Sequence, residues 1–246
     1  MIIGVVADIH GNLAAFEAVL NHLRQTYGPP DALWCLGDIV GYGPDPNECI
    51  DLIRQFNLVA VVGNHDLVAV GLLDPDLFNP DARAAALWTA QVLRPDNKLF
   101  LQKLPQRVLQ QDFTLVHGSP RSPIWEYLLT TSAACENFQH FETRFCLIGH
   151  SHIPIIFALN PNTGNCVQAE FPPVLDLTKV RGRLIINPGG VGQPRDRDPR
   201  AAYAVLDTER QILYHHRVEY NIRQTAEKIL KLGLPERLAV RLSYGI

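Results

Sequence analysis

The chain has 246 residues, 47% hydrophobic and 19% charged, with a formal net charge of -3. That length allows one large domain or two small ones and burial of roughly three quarters of the unfolded surface. The charge supplies no basic field for a long nucleic acid, and no uninterrupted apolar stretch reaches the length of a membrane span.

Residues 2–7 are a short apolar run that predicts a buried strand ending at Asp8. Asn12 then stands as an N-cap, and Leu13, Phe16, Val19, Leu20 and Leu23 repeat at helical spacing up to Gly28-Pro29-Pro30. Strand 32–36, a Gly- and Pro-rich loop at 41–46, a helix over 47–56 and strand 58–62 complete a βαβαβ half. The stretches 80–93 and 97–104 read as helices, so an insertion over about 66–104 separates this half from the next strand and shapes a pocket.

The later half carries strands at 114–116 and 145–148 and three hairpins. These pair 107–109 with 113–116, 155–159 with 166–170 across Asn160-Pro161-Asn162-Thr163-Gly164-Asn165, and 202–206 with 212–218. The expectation is a second, more antiparallel sheet packed on the first with helices outside. The fold is thus read as α/β, a four-layer α-β-β-α sandwich of two mixed β-sheets, with a dinuclear metal site at the carboxyl ends of the strands. The 18 prolines are spread evenly, so residues 1–246 are taken as one domain. Met1 to Val6 lacks the basic start of a signal peptide, which points to the cytoplasm. Cys35, Cys49, Cys135, Cys146 and Cys166 are odd in number without a C-x-x-C pair, and are read as small core residues.

Five segments place polar side chains directly after apolar runs: Asp8-Ile9-His10, Gly37-Asp38, Gly63-Asn64-His65-Asp66, Val116-His117-Gly118 and Gly149-His150-Ser151-His152. Taken singly, Asp8 or Asn64 is a helix cap or turn former and His117 a structural histidine. Seven such residues, each after a predicted strand, form a constellation that chance does not assemble. In open α/β sheets the space beyond the strand carboxyl ends is where ligands sit, so these segments can converge on one point.

Carboxylate, imidazole and amide oxygen make a borderline donor set suited to Mn, Fe, Zn, Co or Ni rather than to the oxygen cage of Ca or a thiolate zinc site. Asp8 and His10 can face one ion, Asp38 can bridge two, His150 and His152 offer one imidazole to each, and Asn64 and His117 complete the second site. Two divalent ions about 3.5–4 Å apart lower the pKa of a bridging water and clamp the attacking and leaving oxygens of an in-line displacement, the chemistry of phosphoester hydrolysis. His65 is placed to be the general acid for an expelled alkoxide, with Asn64 and the metals steadying charge on the equatorial oxygens.

The D-x-H, GD, GNHD, VHG and GHSH order resembles the calcineurin-like metallophosphoesterase superfamily, from Met1 to roughly Asp207. With Asn187-Pro188-Gly189 after a strand, it is similar to the compact bacterial phosphodiesterase and phosphatase branch. The resemblance implies one metal held by Asp8, His10, Asp38 and His152, a second by Asp38, Asn64, His117 and His150, and His65 as the acid. It implies two divalent transition-metal ions per chain, from among Mn, Fe, Zn and Ni, and hydrolysis of phosphodiesters or phosphomonoesters by a metal-bridging hydroxide. A small phosphoester, nucleotides included, is the expected substrate, and the oligomeric state stays open.

The resemblance departs at Gly37-Asp38-Ile39-Val40-Gly41-Tyr42-Gly43, where phosphoprotein phosphatases and bacterial diadenosine tetraphosphatases like them continue GD with V-D-R-G. The phosphate-gripping arginine is missing from this loop, which speaks against either activity of that type. Arg195, Arg197 and Arg200 are candidates to replace it, with Arg195 expected to contact substrate phosphate. The alternative function is a non-catalytic metal-binding scaffold for protein partners, like the retromer subunit of the same fold, which lacks a histidine at the acid position. Asp66 is read as either a helix cap or a partner of a ligand, segments 43–46 and 78–80 as simple turns or as a rim of the substrate pocket, helix 221–232 as ordinary packing, and His22, His140, His215 and His216 as structural or solvated.

Overall fold

The computed structural model describes residues 1–246. Strands β1 (Ile2–Val6), β2 (Ala32–Cys35) and β3 (Leu58–Ala60) run parallel, joined by helices α1 (Leu13–Tyr27) and α2 (Pro46–Ile53). Three helices follow, α3 (Asn64–Ala69), α4 (Pro80–Val92) and α5 (Pro95–Gln102). Strands β4 (Arg107–Gln110) and β5 (Phe113–Val116) form a hairpin, and helix α6 (Thr131–Asn137) precedes β6 (Phe145–Leu147). The chain then forms β7 (Ile155–Leu159), β8 (Cys166–Ala169), β9 (Val174–Asp176), β10 (Arg183–Asn187), β11 (Ala201–Asp207) and β12 (Ile212–Val218), ending in helices α7 (Ile222–Lys231) and α8 (Glu236–Val240).

Two six-stranded sheets result, ordered β3-β2-β1-β11-β12-β9 and β4-β5-β6-β10-β7-β8. Both are mixed. All three expected hairpins form, but they divide between the sheets: β11 and β12 extend the first, where β1 pairs antiparallel to β11 with Ile3 opposite Leu206. The second sheet keeps a parallel centre of β5, β6 and β10. The long connections after β6 and β10 let β10 insert beside β6 and send β11 to the other sheet, a crossover that strand propensity does not encode.

Alternation along the strands separates the layers. Ile3, Val5 and Ala7 face Phe113, Leu115, Phe145 and Leu147 between the sheets, while Val6 joins Phe16, Val19, Leu20 and Leu23 of α1 outside the first sheet. Phe157 and Ile185 cover the far side of the second sheet with Phe138 and Ala134. A fourth cluster joins Tyr42 and Ala85 of α4 to Ile229, Leu238 and Leu242, so the C-terminal helices close over the helical stretch after β3. No helix is long and apolar enough to cross a membrane. All five cysteines are free, and Cys35, Cys49 and Cys146 are buried.

Candidate metal centre

The loops after β1 and β2 are stitched by main-chain bonds from Asp8 N to Gly37 O and from His10 N to Asp38 O, at 3.1 and 2.9 Å. Five of the seven candidate donors take left-handed backbone: Asp8 (φ 55°), His10 (51°), Asp38 (53°), His150 (65°) and His152 (59°). That conformation costs a non-glycine residue of order 1–3 kcal/mol and persists only where its surroundings impose it. Here it turns Asp8 and His10 toward one point while Ile9, between them, stays in the core with Phe16. Close approach explains the neighbouring glycines: a Cβ on Gly63 would lie 2.0 Å from Asp38 Oδ1, and one on Gly192 would lie 1.9 Å from Ile9 O.

All seven candidate ligands converge and are buried, from Asp8 and His117 at 0% exposure to Asn64 at 3%. They form two donor groups. His10 Nε2 lies 3.1 Å from His152 Nε2, which is 3.5 Å from Asp8 Oδ1. His117 Nε2 lies 3.0 Å from Asn64 Oδ1 and 3.1 Å from His150 Nδ1. Asp38 Oδ2 stands between the groups, 3.7 Å from His10 Nε2 and 3.3 Å from His117 Nε2. His65, at 4% exposure, brings a ring nitrogen within 4.8 Å of the donor atoms of His10 and Asp38.

The donors fit a metal. Each imidazole has its other nitrogen on a main-chain carbonyl: His10 Nδ1 on Val40, His117 Nδ1 on Leu36, His152 Nδ1 on Gln193 and His150 Nε2 on Trp125. A ring donating there turns a lone pair inward, so the inward nitrogens 3.1 Å apart are pairs of acceptors that need a cation between them. Likewise, His150 N and His65 N donate to the Oδ1 atoms of Asp8 and Asp38 at 3.0 and 2.9 Å, while both Oδ2 atoms are buried without a partner. Unpartnered buried carboxylate oxygens facing imidazole lone pairs are the arrangement of a cation site.

Electrostatics points the same way. Burial pushes the Asp8 carboxyl up to about 7, holds His65 down at about 4 and His150 at about 3, and keeps His10 and His152 well below the usual imidazole range. Neutral imidazole is the ligating form. Burial opposes charge on His117 as well, yet the adjacent Asp38 carboxylate raises it to about 9; Asp38 itself is lowered, His117, His65 and His10 together outweighing its burial. The centre thus draws positive charge between Asp38 and His117.

Asp66 combines its two expected roles: its carboxylate accepts from Gly63 N at 3.0 Å, capping α3, and from Asp38 N and Val40 N at 2.9 and 3.1 Å, fixing the loop that carries Asp38. Asn187 Nδ2 donates to Gly149 O and Ser151 Oγ at 2.6 and 2.9 Å, holding the turn that carries His150 and His152. Of the three candidate arginines, Arg200 is engaged with Asp198 and Arg197 is exposed. Arg195 reaches the centre's edge: its Cζ lies 5.8 Å from the Tyr42 ring, its Nη2 donates to Gln193, and its buried Nε has no partner.

An aromatic rim surrounds the donors, and the sequence marks only part of it. Tyr42 packs 4.3 Å from the His65 ring, Phe78 4.4 Å from the same ring, Trp125 5.8 Å from Phe78, and Tyr127 stacks at 3.8 Å on His150. Phe78 lies in segment 78–80, which the sequence offers as a turn or a pocket rim, and Tyr42 directly precedes the other such segment, 43–46; Trp125 and Tyr127 carry no signal. His22 and His216 bond to Tyr203 and Tyr27, and His215 to Pro188 O, as structural histidines; His140 is exposed.

Residues 1–211 match the family model of the calcineurin-like phosphoesterase superfamily domain. A metallophosphoesterase from Sphaerobacter thermophilus of known structure is 44% identical, superposes with a TM-score of 0.89, and covers 100% of this chain and 99% of that one. An uncharacterized protein of Methanocaldococcus jannaschii is 41% identical over 99% of this chain and 98% of its own length. A symmetrical bis(5'-nucleosyl)-tetraphosphatase of Actinobacillus pleuropneumoniae is 30% identical over 74% of this chain, which spans 64% of that enzyme. With the strand-end donors gathered as described, the chain belongs to the calcineurin-like phosphoesterase superfamily and is a hydrolase of phosphoesters in a divalent-metal-dependent family.

Proposed function

We propose that the chain holds two divalent transition-metal ions, one on Asp8, His10, Asp38 and His152 and the other on Asp38, Asn64, His117 and His150, and hydrolyses small phosphoesters of the nucleotide type. The observation that carries this reading is the unpartnered Asp38 Oδ2 between two imidazole groups, 3.7 Å from one and 3.3 Å from the other. When bound, such ions supply Lewis acidity to phosphoryl oxygens and lower the pKa of water. Mn, Fe, Zn and Ni all suit the donor set.

The chain's own residues do the rest. Arg195 offers a guanidinium fork to phosphate oxygens at the edge of the centre, and the Asn64 amide steadies charge on the phosphoryl group. His65 carries the proton for an alkoxide leaving group; neutral in the bare site, it gains basicity from the negative charge of a bound phosphate. Tyr42, Phe78, Trp125 and Tyr127 exclude water around it and give a nucleobase faces to stack on. The similarity to a symmetrical bis(5'-nucleosyl)-tetraphosphatase supports a nucleotide-type substrate.

The test uses chelator-stripped protein with Mn, Zn, Ni, Fe(II) or Mg restored singly, assayed on bis-p-nitrophenyl phosphate and p-nitrophenyl phosphate with metal content measured in parallel. Two equivalents of metal and metal-restored turnover are expected, and the substrate ratio sorts diesterase from monoesterase. One equivalent at saturation rejects the dinuclear reading. Two equivalents without turnover of either ester, or of any nucleotide, would favour the scaffold.

A further inference from the structure

Arg195 is presented by the segment after β10, and that segment is tied along its path to the loop of the first donors. Val191 N and Gly192 N donate to Ala7 O and Asp8 O at 2.9 and 2.8 Å, and the Asn12 side chain donates to Gly192 O at 2.8 Å. Gln193 follows, 2% exposed, and its main-chain oxygen accepts from His152 Nδ1 at 2.5 Å. Across Pro194, the Arg195 side chain returns to the same residue, its Nη2 donating to Gln193 Oε1 at 3.1 Å. One glutamine thus fixes a donor imidazole with its main chain and a guanidinium with its side chain.

The carboxylates nearest to Arg195 in sequence are taken by other cations. Asp196 pairs with Arg217, and Asp198 pairs with Arg200 at 2.6 Å and lies 3.9 Å from Arg217. Arg195 itself forms no ion pair. Besides Gln193 it meets only the Tyr42 ring, 5.8 Å from its Cζ, and its Nε is buried without a partner. Both supports are neutral. A carboxylate in place of either would grip the guanidinium more strongly and cancel the charge that a phosphate oxygen has to feel.

That charge reaches the centre. After burial, it is the largest influence holding His152 below the usual imidazole range, and it favours ionisation of Asp8 against the burial that raises that carboxyl. A free arginine side chain also samples many rotamers. Ordering it before substrate arrives removes that entropy loss from the binding step.

We propose that Gln193 is a positioning residue for phosphate recognition: its buried, uncharged amide holds the Arg195 guanidinium at the centre's edge with its full charge available to the substrate phosphate. The inference rests on the reading of Arg195 as the phosphate contact and deepens it. Neither a carboxylate nor an apolar side chain of the same size can fill this role. The first neutralises Arg195, and the second releases it.

The experiment measures the affinity of metal-loaded protein for inorganic phosphate by calorimetry, together with KM and kcat on bis-p-nitrophenyl phosphate and p-nitrophenyl phosphate. It compares wild type with Gln193→Met, Gln193→Glu, Arg195→Ala and the Gln193→Met, Arg195→Ala double variant, with metal content and thermal midpoint recorded for each. Gln193→Met is expected to weaken phosphate binding and raise KM about tenfold with kcat much less affected, and Gln193→Glu to weaken binding at least as far. On the Arg195→Ala background the methionine change should cost less than about twofold, because the group through which it acts is gone. Gln193→Glu keeps the shape and the acceptor, so it serves if Gln193→Met lowers the thermal midpoint. Wild-type phosphate affinity in Gln193→Glu would make the side chain a merely structural support and overturn the proposal. A methionine penalty that survives unchanged without Arg195, or no penalty at all, overturns it too. Wild-type phosphate affinity in Arg195→Ala overturns the phosphate contact itself instead.

Discussion

The donor cluster and the rim around it are built in opposite ways. Six of the seven donors sit on strand-end turns and Asn64 opens α3; all are nearly or fully buried, and main-chain bonds such as Asp8 N to Gly37 O fix the turns. The rim draws Tyr42 from a Gly-rich loop, Phe78 from the turn before α4, and Trp125 and Tyr127 from the segment before α6. It is partly open, with Tyr127 47% exposed. Chemistry is thus assigned to rigid, local turns and selectivity to side chains that meet only through tertiary packing. Substitutions in the two regions should therefore fail differently, the first in metal and kcat, the second in KM.

The sharpest break is Asp38→Ala. It removes the one carboxylate shared by both donor groups, and metal affinity should fall at least about 100-fold at both positions, with turnover lost alongside. Metal analysis after dialysis against dilute chelator checks this; retention of one full equivalent would show that Asp38 does not bridge. Gly63→Ala should approach it without touching a donor, because the new Cβ meets Asp38 Oδ1 at 2.0 Å and Asp38 N at 2.4 Å.

His65→Ala separates chemistry from metal binding. Both equivalents should remain, while kcat on an ester with an alkoxide leaving group falls about 10²–10⁴-fold and on a p-nitrophenyl ester much less. Equal losses on both leaving groups would remove His65 from the proton step.

These two regions were unequally legible in the sequence. Each donor follows an apolar run within four residues, so strand periodicity and side-chain chemistry together singled out Asp8, His10, Asp38, Asn64, His117, His150 and His152. What could not be read was their left-handed backbone, since side-chain pattern carries no φ, and the route of β10 and β11 between sheets. Of the rim, only the segment with Phe78 and the loop beside Tyr42 have a local mark. Tyr42 and Phe78 are ordinary aromatics until packing sets them beside His65, and Trp125 is one until it meets Phe78.

Trp125→Ala probes the rim at lower cost. Its main-chain carbonyl still receives His150 Nε2, at 3.2 Å in the wild type, so the donor cluster should keep its metal. A lost stacking face is worth about 1–3 kcal/mol, so KM for a nucleotide substrate should rise about tenfold with kcat nearly unchanged. A fall in metal content would erase the distinction between rim and cluster.

The smallest effect concerns the framework beneath the cluster. His215 stacks on Phe171 at 4.6 Å, and its Nε2 bonds to Pro188 O at 3.1 Å, in the loop that leads through Gly190 to the His152 ring. Burial, aided by Arg217 and His216 and opposed by the Pro188 bond and by Asp198, lowers its pKa to about 4. The folded form therefore binds the proton less readily than the unfolded chain. The stability this neutral ring contributes is complete above about pH 6.5 and lost as pH falls through about 4. For a chain of this size each kcal/mol lost lowers Tm by about 2–4 °C. His215→Phe, which keeps the aromatic contact without the titration, should lose less Tm than wild type between pH 7 and pH 4.5. His216 sits beside it with a similarly lowered pKa, so the variant should remove part of the acid sensitivity and leave the remainder. Identical Tm profiles for the two proteins would show that His215 is not the group through which acid loosens the support of the donor cluster.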